Sequence, residues 1–259
     1  LWFQHRLRRI RVARRCELAV LVSAGARSLF AMHLVPCCGR DRRDGPTLRV
    51  FDPGPGAIVQ YAKRKIDPAR LSGIVLSHRH LDHAGDVNVM IEAMTEGGFK
   101  KRGRLFCPSD ALDDDPVVLG YLRGFPEEIV RLQPETVYTI GSIAFATSPA
   151  HPHGAETYGF RFGDRLGWVT DSAFYEGIAE QHRAEVMVIH TVLLERRPLP
   201  HLCLDDAEAI IREARPRLAI LTHFGMTMWR AHPWELAARL TESTGVDVKA
   251  ARDGMTVEL

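Results

Sequence analysis

No apolar run in this chain approaches the roughly 20 residues that a helix needs to cross a bilayer. The longest candidate, Leu18 to Val35, is interrupted by Ser23, Gly25, Arg27, Ser28 and His33. The basic start (Arg6, Arg8, Arg9, Arg11, Arg14, Arg15) followed by that run has the outline of a signal peptide. No clear small-residue cleavage site precedes a mature domain, so a cytoplasmic protein without a membrane partner is expected. Cysteine is sparse: five residues, at 16, 37, 38, 107 and 203, with no C-x-x-C spacing. An odd number so placed argues against a disulfide framework and for reduced thiols. Net charge is small too. Thirty-four Lys and Arg against 32 Asp and Glu leave +2, so the chain as a whole is not an obvious polyanion binder. Tandem repeats and low-complexity linkers are missing, and nothing signals an oligomeric state.

What is present is ordinary for a globular protein: 259 residues, 46% hydrophobic and 25% charged. That is one large domain or two small ones, with ample length for a core. Residues 1–45 are Arg-rich, show no clean period and end in a loop at Cys37 to Pro46. Order begins at Leu48-Arg49-Val50-Phe51, a short strand closed by the turn Asp52-Pro53-Gly54-Pro55-Gly56. Ile74 to Leu76 reads as a buried strand. Asp86 is placed to cap a helix over Val87 to Thr95, stopped by Gly97-Gly98. Residues 99–135 read as loops and short helices, either a lid or substrate wall or, for their charge runs, a solvated surface excursion. Strands follow at Val137 to Ile140, Ile143 to Ala146, Tyr158 to Phe162 and Leu166 to Thr170. In the last third, strands at Val186 to Ile189 and Leu218 to Thr222 alternate with helices. One opens at Asp205-Asp206-Ala207-Glu208 with capping-box spacing, the other at Pro233. The expected pairing is mostly meander in the first part and β-α-β in the last.

The chemistry concentrates in Ser77-His78-Arg79-His80-Leu81-Asp82-His83-Ala84-Gly85-Asp86. Three imidazoles and a carboxylate fall within six residues, just past an apolar strand. Imidazole and carboxylate together suit zinc, iron or manganese. In extended chain, residues i and i+2 point the same way, so His78 and His80 can grip one ion. The chain then turns, and Asp82 and His83 face a second point. Further residues of metal-binding type sit past other strand ends: His151 and His153, Asp171, His190, and His223. Sites in sheets covered by helices lie at that edge.

The set His78-x-His80-x-Asp82-His83, His153, Asp171 in Val169-Thr170-Asp171-Ser172, and His223 in Leu221-Thr222-His223-Phe224 resembles the metallo-β-lactamase superfamily. The resemblance covers roughly residues 48–250. It implies an α/β fold, a four-layer αββα sandwich of two mixed sheets, with a hydrolase domain over 46–259. It also implies two divalent metal ions, zinc before manganese or iron. His78, His80 and His153 would hold the first, Asp82, His83 and His223 the second, and Asp171 would bridge them. His153 is preferred to His151 because Gly154-Ala155-Glu156-Thr157-Tyr158-Gly159 resembles the segment after the third His in ribonuclease Z and phosphodiesterase-like members. His151 then stands behind the site. Asp52 is expected to orient a ligand His through its carboxylate, and His190 to support the site from a strand end. Two departures stand out. The usual N-terminal strand pair is not recognisable in residues 1–45, and ribonuclease Z normally has Gly where Leu81 stands.

The resemblance implies hydrolysis by a metal-bound hydroxide, with Asp82 orienting it and His201 protonating the leaving group; His190 is the other candidate acid. His5, His33, His182 and His232 read as surface or structural. Tyr158, Phe224, Met226, Met228 and Trp229 read either as pocket wall or as core. The expected substrate is a small, nucleotide-like phosphodiester, ahead of esters, lactones or thioesters; nucleic acid has weaker support, from the basic start and Lys100-Lys101-Arg102. Membership of such a family does not itself name the substrate. Two readings of other classes compete. A di-iron oxidoreductase would usually carry Glu at the position of His80 and a flavodoxin domain, and neither is seen. A non-catalytic metal- or nucleic-acid-binding module would not need the complete ligand set.

Overall fold

The structure, a computed structural model, describes residues 18–25, 29–36, 48–141, 143–252 and 255–258. Two seven-stranded sheets organise it. The first contains β1 (Leu18–Gly25), β2 (Leu29–Pro36), β3 (Leu48–Phe51), β4 (Leu71–Val75), β5 (Arg104–Cys107) and β6 (Glu128–Arg131). The late strand β14 (Met255–Glu258) pairs with β1 at its other edge. The second runs in chain order through β7 (Val137–Ile140), β8 (Ile143–Ala150), β9 (Tyr158–Phe162), β10 (Leu166–Val169), β11 (Val186–His190), β12 (Leu218–Thr222) and β13 (Asp247–Ala250). Helices α1 (Ala57–Lys63), α2 (Leu81–Ala84) and α3 (Val87–Thr95) belong to the first half. The second half has α4 (Ile178–Gln181), α5 (Leu204–Ala214), α6 (Met226–Arg230) and α7 (Pro233–Thr244). None of the described helices is long and apolar enough to cross a membrane.

The strand sequences explain the layering. Successive strand residues face opposite sides, and here both sides are apolar. Val50 and Ile74 pack with Tyr61 of α1 and with Val87, Met90, Ile91 and Met94 of α3. Their neighbours Phe51 and Val75 turn inward to the second sheet. In that sheet Val186, Val188, Leu218 and Ile220 face inward, while Met187, Ile189, Ala219 and Leu221 pack on α5 and α7. A strand buried on both faces needs such a continuous apolar run. Phe51 is the knot between the layers: its ring meets Phe145, Phe160, Phe162 and Trp168 edge to face, at centroid distances of 5.4 to 5.8 Å. Each such pair adds about 0.5–1.5 kcal/mol beyond area burial. Arg49, fully buried beside it, crosses the layers and donates from Nε and Nη2 to the Ile140 carbonyl at 3.0 and 2.6 Å.

Several expectations need correction. Residues 18–36 do contain a strand pair: β1 and β2 are antiparallel from Leu18↔Pro36 to Gly25↔Leu29. Two short apolar runs separated by only a few residues read like a single longer run, because periodicity cannot separate them. The Arg-rich beginning, His5, the His33 side chain and the cysteines at 16, 37 and 38 lie outside the described residues. β3, β4, β5 and β6 pair in parallel rather than as a meander, since the segments between them are long enough for crossovers. The meander is β7-β8-β9-β10. Residues 99–135 contain two strands, β5 and β6, masked by the charges flanking Leu105, Phe106 and Cys107. The Asp86 carboxylate does not cap its helix; it accepts from the Ile58 N–H at 3.0 Å. α5 starts at Leu204, one residue earlier than expected, and Asp206 accepts from the Cys203 N–H at 3.0 Å.

Candidate metal centre

The residues of metal-binding type meet at one edge of the two sheets. His78 and His80 follow β4. His80, extended, leads into α2, whose first turn carries Asp82 and whose last turn carries His83. His153 lies on the loop after β8, Asp171 just past β10, His190 at the end of β11 and His223 just past β12. Two of these chain turns are unusual. Asp52 and His223 adopt φ of +46° and +58°, a left-handed region that L residues rarely enter and that clusters at functional sites.

Two donor groups form around Asp171. In the first, the ring nitrogens of His78, His80 and His153 lie within 4.8 Å of one another, with His153 Nε2 3.1 Å from His80 Nδ1. Asp171 Oδ2 is 3.9 Å from both His78 Nε2 and His153 Nε2. In the second, His83 Nε2 and His223 Nε2 are 2.8 Å apart, and Asp82 Oδ2 is 3.2 Å from His223 Nε2. Asp171 reaches this group as well, with Oδ2 3.6 Å from His83 Nε2 and Oδ1 3.7 Å from His223 Nε2. Ligands on one tetrahedral ion with bonds of about 2.1 Å are about 3.4 Å from each other, so the spacing suits ions.

The hydrogen bonds behind the rings decide which nitrogen is free. Asp52, fully buried, accepts from the Ser77 N–H and the Ser77 hydroxyl, both at 2.6 Å, and faces His83 Nδ1 at 2.9 Å. A carboxylate only accepts, so His83 Nδ1 carries a proton and Nε2 is the nitrogen turned toward His223 and Asp171. The Ser77 proton is committed to Asp52, so Ser77 Oγ accepts from His78 Nδ1 at 2.9 Å, and His78 Nε2 is bare. That atom is buried and has no hydrogen-bond partner. His153 Nδ1 donates to the Pro200 carbonyl at 2.9 Å, again freeing Nε2. His78 and His153 thus turn lone pairs inward, the form a metal requires, and His83 turns its Nε2 the same way.

His190 is oriented differently. The Trp168 indole N–H donates to His190 Nε2 at 2.9 Å, and His190 Nδ1 lies 2.7 Å from Asp171 Oδ1. The indole can only donate, so His190 is protonated on Nδ1 and supports Asp171. His151 also stays out of the donor groups: its Nδ1 faces the Asp171 backbone carbonyl at 3.2 Å. His201 borders the first group, its Nδ1 3.6 Å from Asp171 Oδ2 and without a hydrogen-bond partner.

Burial first, and then the neighbouring imidazoles, hold His78 below the ordinary histidine range. Burial does the same for His80 and His201. For Asp171, burial opposes ionisation, but His223 and His83 outweigh it and hold the carboxyl well below the usual range. The same contest brings Asp82 to about 2, with His223 as its hydrogen-bond partner. Burial works against a charged His83, but Asp171 and Asp52 outweigh it and raise its pKa.

Ser77 and Trp168 escaped the sequence reading. Their one available signal was chemical: a buried indole N–H needs an acceptor. Within residues 99–135, the segment around Asp110 to Asp115 is tied to the histidine loop by Arg79. Its Nη1 donates to the Asp114 carbonyl at 3.0 Å, and its Nε is 3.7 Å from Asp110 Oδ2. Glu156 accepts from the Ser109 N–H at 2.9 Å, so residues 109–115 are stapled beside the histidine loop. Tyr158, Phe224 and Met228 are core, whereas Met226 and Trp229 are exposed on α6 just beyond His223.

Residues 49–224 match the family model described as a beta-lactamase superfamily domain. The chain is 32% identical over 223 residues to the uncharacterized protein MJ1374 of Methanocaldococcus jannaschii, covering 80% of this chain and 82% of that protein. Among solved structures, the metallo-beta-lactamase fold protein YhfI of Bacillus subtilis superposes with a TM-score of 0.73 at 17% identity, over 94% of this chain and all of that one. A diphosphatase from the PhnP family superposes with a TM-score of 0.71 at 18% identity, over 94% and 97%. The short form of human tRNase Z gives 0.63 at 15% identity, over 93% and 98%. At such identities the likeness is one of fold.

Proposed function

Because the chain belongs to the beta-lactamase superfamily, we propose that it is a hydrolase that uses two divalent metal ions, with phosphodiesters as its substrates ahead of esters, lactones and thioesters. Zinc is the first choice of metal for a set rich in imidazole, with manganese or iron as alternatives. One observation carries the reading: the Nε2 atoms of His78, His83 and His153 converge on a buried carboxylate, Asp171, that lies within 4 Å of both donor groups. His78, His80 and His153 would hold one ion, Asp82, His83 and His223 the other, and Asp171 both. Bound there, such ions would supply an activated water and positive charge for the developing oxyanion. The chain's own groups do the rest. His190 keeps Asp171 Oδ1 engaged and its carboxylate oriented. Asp82, ionised and a third exposed, orients the attacking water at the mouth. His201, its side chain 22% exposed, hands a proton to the departing oxygen. Proteins named as a diphosphatase and a tRNase Z share the fold, which favours a phosphorus-centred substrate.

The test is a panel of bis-p-nitrophenyl phosphate, carboxylic esters, lactones and thioesters, with metal content measured by elemental analysis. Two equivalents of metal and turnover of the phosphodiester are expected. His80→Ala should lose metal and activity together, and His201→Ala should lower kcat with both metals kept. Full activity in His80→Ala would sink the ligand assignment. Turnover of esters alone would move the substrate class.

A further inference from the structure

Behind the metal centre, His151 and His182 meet over the outer face of the second sheet. His182 closes α4, and its backbone lies against Gly167, where an added Cβ would collide with the His182 carbonyl. The two rings pack edge to face, with centroids 5.3 Å apart. Each has its Nδ1 committed. His182 Nδ1 is 2.9 Å from the Ile178 carbonyl. His151 Nδ1 is 3.2 Å from the Asp171 carbonyl and 3.4 Å from Thr170 Oγ1, whose own proton goes to the Tyr158 carbonyl at 2.9 Å. These partners all accept, so both imidazoles carry their proton on Nδ1, and both Nε2 atoms are bare acceptors.

Both Nε2 atoms are buried and have no hydrogen-bond partner. They lie close together, over the same glycine. A methyl group built on Gly159 of β9 would collide with His182 Nε2 and sit 2.9 Å from His151 Nε2. Strand alternation turns Tyr158 and Phe160 into the inter-sheet core, so Gly159 faces the two rings, which stand where a side chain on it would lie. Two acceptors cannot satisfy each other, and a buried polar group without a partner is rare in a folded protein.

We propose that the pair is an internal binding site for one water molecule, which donates its two hydrogens to His151 Nε2 and His182 Nε2. Water is the small neutral molecule with two donors, and a polar site with two to four partners is where buried water is found. A zinc ion fits worse: it takes four ligands, and no metal-type cluster among the described residues includes His182. The water would link the end of α4, through His151, to the Asp171 backbone and to the loop carrying His153. The inference does not depend on which bond the enzyme breaks.

Two measurements on the metal-loaded protein test it. A crystal structure at atomic resolution is expected to show a density peak within hydrogen-bonding distance of both Nε2 atoms. Imidazole ¹⁵N shifts are expected to show two neutral rings protonated on Nδ1, each with Nε2 accepting a hydrogen bond. No peak, an anomalous signal from a metal at the spot, or one ring protonated on both nitrogens and bonded directly to the other would each overturn the proposal. Gly159→Ala should expel the water. If that variant does not fold, His182→Phe keeps a ring and removes an acceptor. Magnetic relaxation dispersion should then count one fewer long-lived internal water than in the wild type, and an unchanged count refutes the site.

Discussion

Replacing Asp52 with Asn tests the hydrogen-bond logic behind the metal centre most directly. The two side chains have the same shape, but one oxygen becomes an NH2. If the amide took the place of Oδ1, it would face the Ser77 N–H, a donor that cannot turn away. The amide therefore takes the place of Oδ2, between the Ser77 hydroxyl and His83 Nδ1, 2.6 and 2.9 Å away. Both neighbours can respond. His83 can present a lone pair at Nδ1 by moving its proton to Nε2. Ser77 Oγ can accept from the amide and swing its hydrogen to His78 Nδ1, 2.9 Å away, which places the His78 proton on Nε2 too. One substitution thus inverts the tautomer of one histidine in each donor group. Loss of the partner behind a metal-binding histidine costs about 10–100-fold in affinity, or about 1.4–2.7 kcal/mol per ion. Competition with a chromophoric zinc chelator should show both ions weakened. Imidazole ¹⁵N shifts of the metal-free protein should show both protons on Nε2. Ser77→Ala removes the acceptor behind His78 alone and should weaken one ion only. Wild-type affinity at both sites, or unchanged tautomers in Asp52→Asn, would refute the reasoning.

Three further outcomes are expected. Trp168→Phe removes the donor from His190 Nε2 and should lower stability by about 1–3 kcal/mol, read by urea denaturation, with the His190 Nε2 ¹⁵N shift moving as its hydrogen bond is lost while Asp171 keeps the proton on Nδ1. Burial lowers the pKa of His182 to about 4, so below pH 6.5 the unfolded chain takes up a proton that the folded chain refuses. Stability should fall as pH drops from 6.5 to 4, by up to about 3 kcal/mol, and His182→Phe should flatten that slope in denaturation curves. Chelation by EDTA should lower Tm by about 15 °C from a sample with zinc at about 1,000 times Kd, since such a ligand adds about 4 kcal/mol at each of the two sites. An unchanged Tm would mean that the donor groups hold no ion.

How much of this was legible before the structure depended on how local each feature was. His78, His80, Asp82 and His83 share one short segment, so their spacing alone suggested a metal site. Helices α3 and α7 were legible from their apolar period and flanking stops, and Met90, Ile91 and Met94 are indeed fully buried. β5 and β6 were hidden because four-residue strands carry little periodicity and lie among charges. β1 and β2 were hidden because their two apolar runs merge in the sequence.

The chain by itself determined which side chains could bind a metal, and that they would follow the ends of apolar strands. That much is written in residue type and in the two-residue alternation of a strand. Which histidines turn a lone pair to the ion was decided only by the tertiary structure. Asp52 and Ser77 are 25 residues apart, and Trp168 and His190 are 22 apart. Each pair meets because neighbouring parallel strands, β3 with β4 and β10 with β11, place their ends side by side. A tautomer depends on the partner within hydrogen-bond reach, and reach across strands is a property of register that no local pattern records.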